Sequence, residues 1–378
     1  MKGLFEMFKI PVAKPDLSGN EEKYVLDAIR SSWISSSGQY LERFERDFAS
    51  LCAVDTSIGV CNGTVALHLT MLALDVRPGD EVLLPSLTYI ATANAVRYVG
   101  AEPVFVDVDP NTWCIDPKLI EKKITSKTKG IIPVHLYGHP ADMDEINKIA
   151  ETYNLWVVED AAEAHFAEYK GKKVGSFGNL ATFSFYGNKT FTCGEGGALT
   201  INDKSLVTKM KMLRGQGMDP NRRYYFPIIG YNYRLTNVAA AILCAQIERL
   251  EKILEKRRLI FDMYKERLAE VDGIIFQPKA SWANISPWLF CILIEEEKYG
   301  MSRDELMRCL QEAGIETRPF FIPLHQMPPY QYLNSNYEDT ELQHTIRIAK
   351  MGVNLPTYNM LQQDEINYIC EKIISFKK

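Results

Sequence analysis

From about residue 55 to 205, short apolar runs alternate with amphipathic stretches, and no other feature constrains the fold as much. The strand-like runs are Glu81–Pro85, Pro103–Val108, Gly130–Leu136, Leu155–Asp160 and Ala181–Phe185. Helix-like stretches lie between them at Gly63–Leu74, Tyr89–Val99, Pro117–Ile124 and Met143–Tyr153. Apolar strands each followed by a helix predict an α/β fold, a mostly parallel sheet flanked by helices. Ligands of such sheets bind beyond the carboxyl ends of the strands.

A long helical pattern then runs from about Asn237 to Leu268, followed by a strand-like stretch at Trp288–Ile294 and helices at Arg303–Gly314 and Gln363–Phe376. At 378 residues the chain exceeds one small core. We expect a large domain over residues 1–254 and a smaller α+β domain over residues 255–378. The N-terminal segment, to about residue 40, is treated as free to pack separately, with helix candidates at Glu21–Ser31 and Glu42–Cys52.

Composition narrows the partners. A net charge of −5 without a basic stripe argues against nucleic acid. The eight cysteines are scattered with no CxxC pair, which suggests neither a metal site nor a disulfide framework. Reduced thiols in a cytoplasmic protein are the expectation. The opening MKGLFEMFKIPVAKPDLSG is interrupted by Glu6, Lys9 and Lys14 and makes a poor signal peptide. No apolar run reaches membrane-spanning length, so no membrane partner is expected.

Three stretches carry chemistry. In ATFSFYGNKTFTCGEGGALT, a strand ending at Ser184 runs into a loop that presents Lys189, with the glycine-rich turn Gly194–Gly197 beyond it. A lysine in a site that depresses its pKa can form a Schiff base, whereas a surface hairpin lysine does nothing. In WVVEDAAE, an apolar strand ends in Asp160. That carboxylate faces a ligand in the sheet crevice or merely caps the next helix. In CNGTVALHL, a small polar turn opens an amphipathic helix. Its free N–H groups suit a phosphate, though Asn62 and Thr64 are also ordinary caps. Downstream, Tyr89 in PSLTY stands where a strand gives way to a helix, either stacked on a flat ring or in the core.

Taken in order, CNGTVALHL, PSLTYIATANAV, VHLYGHPADMDEI, VVEDAAEA, TFSFYGNKTFTCGEGG, GYNYRLTNVAAAI and ETRPFFIPLHQMPPY resemble the DegT/DnrJ/EryC1/StrS sugar aminotransferases over nearly the whole chain. The resemblance implies a fold-type I enzyme dependent on pyridoxal 5'-phosphate. Lys189 would hold the cofactor covalently and shuttle the proton. Asp160 would pair with the pyridine nitrogen, Tyr89 would cover the ring, and Gly63, Thr64 and Ser184 would hold the phosphate. Glu163 would lie near the ring hydroxyl. Asn232 would reach the phosphate in the partner's site, implying a homodimer with shared active sites.

The resemblance also implies glutamate as amino donor and a nucleotide-linked keto sugar as acceptor. Within the family, the resemblance carried by LRGQGMDPNRRYYFPIIGYNYRLTN implies a GDP-linked 4-keto-6-deoxyhexose. UDP- or dTDP-linked sugars, and transfer at C3 instead of C4, stay open. Trp33, Ser36, Arg222, Arg223, Tyr225, Arg318 and His325 lie in segments the family uses around the sugar nucleotide. Each is otherwise an ordinary surface, interface or loop residue. Relatives that act as deoxysugar dehydratases carry histidine at the lysine position, so Lys189 speaks against that reaction. A non-catalytic regulator that binds the cofactor is the remote alternative.

Overall fold

The computed structural model describes residues 9–337 and 340–378. Its main sheet has seven strands: β1 (Ser57–Val60), β2 (Glu81–Pro85), β3 (Glu102–Val106), β4 (Thr128–Ile131), β5 (Trp156–Asp160), β8 (Leu180–Ser184) and β9 (Gly197–Ile201). Two short strands between β5 and β8, β6 (Glu168–Tyr169) and β7 (Lys172–Lys173), form a three-stranded ribbon with β11 (Ala283–Asn284). A second, antiparallel sheet of order β10-β12-β14-β13 is built from Ile274–Phe276 (β10), Phe290–Ile294 (β12), Arg318–Pro319 (β13) and Gly352–Leu355 (β14).

The order in the main sheet is β1-β9-β8-β5-β4-β2-β3. β3, β2, β4, β5 and β8 are parallel neighbours, while β9 pairs antiparallel with both β8 and β1. The sheet is therefore mixed, mostly parallel as expected, with one reversed strand. SIGV and GALTI, at β1 and β9, are rich in small residues, which weakens their strand pattern.

The helices are α1 (Glu21–Arg30), α2 (Gln39–Leu51), α3 (Gly63–Ala73), α4 (Ala91–Tyr98), α5 (Pro117–Ile120), α6 (Met143–Tyr153) and α7 (Leu206–Arg214). After these come α8 (Asn237–Glu248), α9 (Leu250–Leu268), α10 (Glu296–Tyr299), α11 (Arg303–Glu312), α12 (Gln343–Met351) and α13 (Gln363–Phe376). The single long helix expected over 237–268 is two. Arg249 leaves helical geometry at φ −115°, ψ 7°, and its guanidinium reaches Asp16 at 2.9 Å. The strand expected over 130–136 stops at Ile131, since Pro133 has no N–H to donate to the ladder, and the chain then turns at Tyr137 in the left-handed region.

The N-terminal segment shares a core with the main sheet instead of packing apart. Phe44 and Phe48 of α2 meet Phe185 edge-on at 5.5 and 5.4 Å, and both α1 and α2 lie on α8. Asn237, at the start of α8, explains why α2 begins earlier than its sequence suggests. Its buried side-chain oxygen accepts from the N–H groups of Tyr40 and Leu41, and its amide donates to the Trp33 carbonyl. A cap supplied from a residue so distant in sequence has no local signature. The two sheets meet where Phe320 packs on Trp113 at 5.4 Å and on Tyr137 at 4.5 Å. No helix of the described residues is long and apolar enough to cross a membrane.

Candidate active site

The ends of β2, β5 and β8, the start of α3 and residues of the second sheet enclose a cavity of about 570 Å³. Its position follows from the parallel strands, whose carboxyl ends converge there. Lys189 stands on the wall. It is carried by a tight loop after β8, in which the Lys189 N–H donates to the Tyr186 carbonyl at 2.9 Å. Gly194 closes that loop at φ 89°, a conformation open to glycine. The Lys189 Nζ lies 3.8 Å from the centre of the Trp288 ring. Burial lowers its pKa, opposed by the carboxylates of Glu163 and Asp160. Part of the side chain still faces the open cavity, as a reacting amine must.

Asp160 closes β5 and is buried. Its Oδ2 accepts from the Thr92 hydroxyl at 2.7 Å and its Oδ1 from the Ala162 N–H at 3.2 Å. Burial raises its pKa, while these hydrogen bonds and the charge of Lys189 pull it back. Glu163 is equally buried and accepts from the Tyr137 N–H at 2.9 Å. With fewer donors it is pushed up to about 7 by burial, against the opposing charge of Lys189. Two neighbouring carboxyls thus differ: one is well supplied with hydrogen bonds, the other is poised to titrate near neutrality.

α3 begins against this pair. The Asn62 side chain caps it by accepting from the Val65 N–H at 3.0 Å, leaving N–H groups of the first turn open to the cavity. A Cβ at Gly63 would lie 2.8 Å from the Cβ of Ser184, and one at Gly197 would lie 2.6 Å from the Asn62 backbone. These two glycines let the helix start sit directly on the strand ends. Thr64 and Ser184 line the same corner. Tyr89 stands at the mouth, 58% exposed, its ring 5.8 Å from that of Phe321. Arg318 also lines the cavity and pairs with Glu316 at 3.6 Å.

Of the residues singled out from sequence, Lys189, Asp160, Glu163, Gly63, Thr64, Tyr89, Ser184 and Arg318 come together here. The others stand elsewhere. His325 is buried against Ser86, its Nδ1 2.8 Å from the hydroxyl, where it props the segment leading to Tyr89. Ser36 accepts from the Arg234 Nε at 2.9 Å, and Trp33 is exposed. Arg222 and Arg223 stack on Tyr225 and Tyr224 at 4.4 and 4.9 Å. Asn232 is exposed beside Gly215. Sequence reasoning passed over Thr92, Asn188, Trp288 and Phe321, which line the cavity. Thr92, Asn188 and Phe321 lie within the quoted motifs beside Tyr89, Lys189 and Arg318, and Trp288 lies outside them; each gains its role only through tertiary contact.

Residues 15–374 match the family described as the DegT/DnrJ/EryC1/StrS aminotransferase family. The GDP-perosamine synthase of Caulobacter vibrioides is 47% identical over 96% of this chain and 96% of its own. That of Escherichia coli O157:H7 is 44% identical over 97% of this chain and 98% of its own. Among solved structures, the aminotransferase TlmJ from Streptoalloteichus hindustanus superposes with a TM-score of 0.90 at 28% identity, covering 97% of this chain and 98% of the other.

The raised pKa of Glu163 has a stability consequence of definite sign. The folded chain holds this proton up to about pH 7, whereas the unfolded glutamate releases it near 4.5. The folded state binds more protons across that window, so stability falls as pH rises through it, by about 3 kcal/mol in all. Glu163→Gln cannot titrate and should flatten this part of the profile. Urea midpoints of both proteins, measured without ligand between these two pKa values, check it; parallel curves would refute the assignment.

Proposed function

We propose that this chain, which belongs to the DegT/DnrJ/EryC1/StrS aminotransferase family, moves an amino group from glutamate to C4 of a nucleotide-linked 4-keto-6-deoxyhexose. The acceptor is GDP-4-keto-6-deoxymannose and the product GDP-perosamine, a choice supported by near-full-length identity to two GDP-perosamine synthases. The observation that carries the reading is Lys189, held in a cavity against two buried carboxyls. The eight cysteines are free thiols, which supports a reducing compartment, the cytoplasm.

The family's cofactor is pyridoxal 5'-phosphate, and the residues present fit it. The corner at Gly63 has no room for a Cβ, and the α3 N-terminus there presents backbone donors to an anion. The Asn188 side-chain oxygen is buried without a hydrogen-bond partner on the same wall. Gly63, Thr64 and Ser184 would hold the phosphate, Asp160 the ring nitrogen, Tyr89 the ring face, and Glu163 the ring hydroxyl. When bound, the group supplies an aldehyde that accepts an amine and a ring that withdraws electrons from the reacting carbon.

The protein's own work is then proton handling and exclusion of water. Burial favours a neutral Lys189 Nζ, which can take the proton from the donor's Cα. The same Nζ returns a proton to sugar C4, so one base serves both halves of the reaction. The Thr92 and Ala162 donors favour the charged form of Asp160, which would hold the proton on the ring nitrogen. Trp288 and Phe321 make the apolar side of the cavity. Arg318 on the wall suits an anionic group of a substrate, because a guanidinium binds such groups with two parallel hydrogen bonds.

A homodimer with shared sites completes the reading. Asn232 stands outside its own chain's cavity, beside a segment that exposes Tyr224, Phe226 and Ile229. Contiguous exposed apolar side chains of this kind call for a partner surface. Asn232 would close the partner's phosphate corner, with Trp33, Ser36, Arg222, Arg223 and Tyr225 near the sugar nucleotide there. His325, the remaining candidate for the substrate, is held by Ser86 through its Nδ1.

Two measurements test this reading. With glutamate and a panel of GDP-, UDP- and dTDP-linked 4-keto and 3-keto sugars, mass spectrometry should find the largest specificity constant for GDP-4-keto-6-deoxymannose. A far larger constant for a UDP- or dTDP-linked sugar would overturn the choice of nucleotide. For the shared site, Lys189→Ala and Asn232→Ala homodimers should each be impaired. Their mixed dimer would contain one intact site and recover up to about half the wild-type activity. Verified mixed dimers without recovery would refute sharing.

A further inference from the structure

Trp288 lies just before β12, on the second sheet's side of the cavity, and is 3% exposed. Two separate parts of its indole meet the lysine loop. The Nε1–H donates to the Asn188 carbonyl at 2.9 Å, so the peptide immediately before Lys189 is tied down. The ring face lies 3.8 Å from the Lys189 Nζ. An ammonium over an aromatic face is attracted by the ring quadrupole, most strongly on tryptophan.

Trp288 is itself firmly placed. Its own carbonyl accepts from the Arg257 Nη1 at 2.8 Å, and that buried guanidinium also donates to the Asn359 side chain at 2.8 Å. Its ring stacks on Tyr137 at 6.0 Å and 22°. Tyr137 in turn donates its backbone N–H to Glu163. Trp288 therefore connects α9, through its backbone carbonyl, to the one loop that carries the reactive amine, through its indole.

We propose that Trp288 is the positioning residue for Lys189. Its N–H fixes the peptide that precedes the lysine, and its ring face receives Nζ whenever that amine is free and protonated. A lysine has four rotatable bonds, and a cavity with two carboxyls offers it competing places. Asp160 at the end of β5 and Glu163 just beyond it attract the ammonium from one side, with neutral His165 behind them. Glu195 and Arg318 stand on the remaining wall. The ring provides a resting place that leaves both carboxyls free for other partners. This inference deepens the proposed function and rests on it for the lysine's chemical role, while the contact itself can be tested independently.

The test separates the two halves of the indole. Trp288→Phe keeps a ring face and removes the N–H; Trp288→Leu removes both. Competitive acetylation of the full-length protein freed of cofactor, quantified on the Lys189 peptide across alkaline pH, reads the pKa of that amine. Trp288→Leu should lower it, because an aliphatic side chain keeps the burial and loses the attraction for the cation. Trp288→Phe, which keeps a weaker ring face, should lower it less than Trp288→Leu. In the cofactor-loaded enzyme, Trp288→Phe should lose kcat roughly 10- to 100-fold with little change in KM, since an untethered loop misplaces Nζ. Should Trp288→Leu fail to fold, Trp288→Met takes its place in the titration.

An unmoved Lys189 pKa in the aliphatic variant, or undiminished kcat in Trp288→Phe, overturns the proposal. A fall in melting temperature alone would mark Trp288 as a structural support and overturn it equally. If the wild-type chain turned over no keto sugar, the proposed function would fail while the acetylation still decided the contact.

Discussion

Asp160 brings a carboxyl to the end of β5 with almost no access to solvent, and its surroundings oppose the neutralisation that burial favours. Burying an ion in a protein costs several kcal/mol even after relaxation. Against this stand a hydroxyl donor from Thr92, a backbone donor from Ala162 and the charge of Lys189. Hydrogen bonds to a charged group contribute about 1.5–3 kcal/mol each, so two of them with one nearby cation offset much of the cost, while burial still holds the pKa above its ordinary value. That narrow balance explains why Thr92 comes from α4 and Lys189 from the loop after β8. Both elements must close on β5 for the carboxylate to be tolerated.

The preceding residue does complementary work on the other face of the strand, as the alternation of side chains requires. Glu159 is fully buried and accepts from the N–H groups of Gly175, Phe177 and Gly178 at 2.7, 2.8 and 2.8 Å. His135 donates its Nε2 proton to the same carboxylate at 3.1 Å, because its Nδ1 already accepts from the Ala141 N–H. The turn before β8 and the loop after β4 are thus fastened to β5 by one side chain. A displacement of either would carry Ser184 or Tyr137, and with them the phosphate corner and the Glu163 partner, out of place.

Much of this was legible in the sequence, for reasons that can be located. β2 and β5 are apolar runs bounded by turn-forming or polar residues, and α6 has a clear amphipathic period, so local pattern and tertiary role agree. Lys189, Asp160 and Gly63 sit in compact motifs whose chemistry is local. What escaped was set at a distance. The antiparallel β9 is five residues whose direction depends on pairing with β8 and β1. The break at Arg249 depends on Asp16, and the start of α2 on Asn237. Trp288 reads as an ordinary strand-edge aromatic until the fold sets it under Lys189. His325, singled out for a substrate, makes a contact with Ser86 that its local sequence does not announce.

Lys189, among all the lysines of the chain, is the amine proposed to join the cofactor. Borohydride reduction of the protein purified with pyridoxal 5'-phosphate, followed by peptide mapping, tests it most directly. The account predicts a pyridoxyl group fixed on the peptide containing Lys189 and absent from the same peptide of Lys189→Ala. A pyridoxyl group on a different lysine, or none in protein that retains the cofactor, would contradict it.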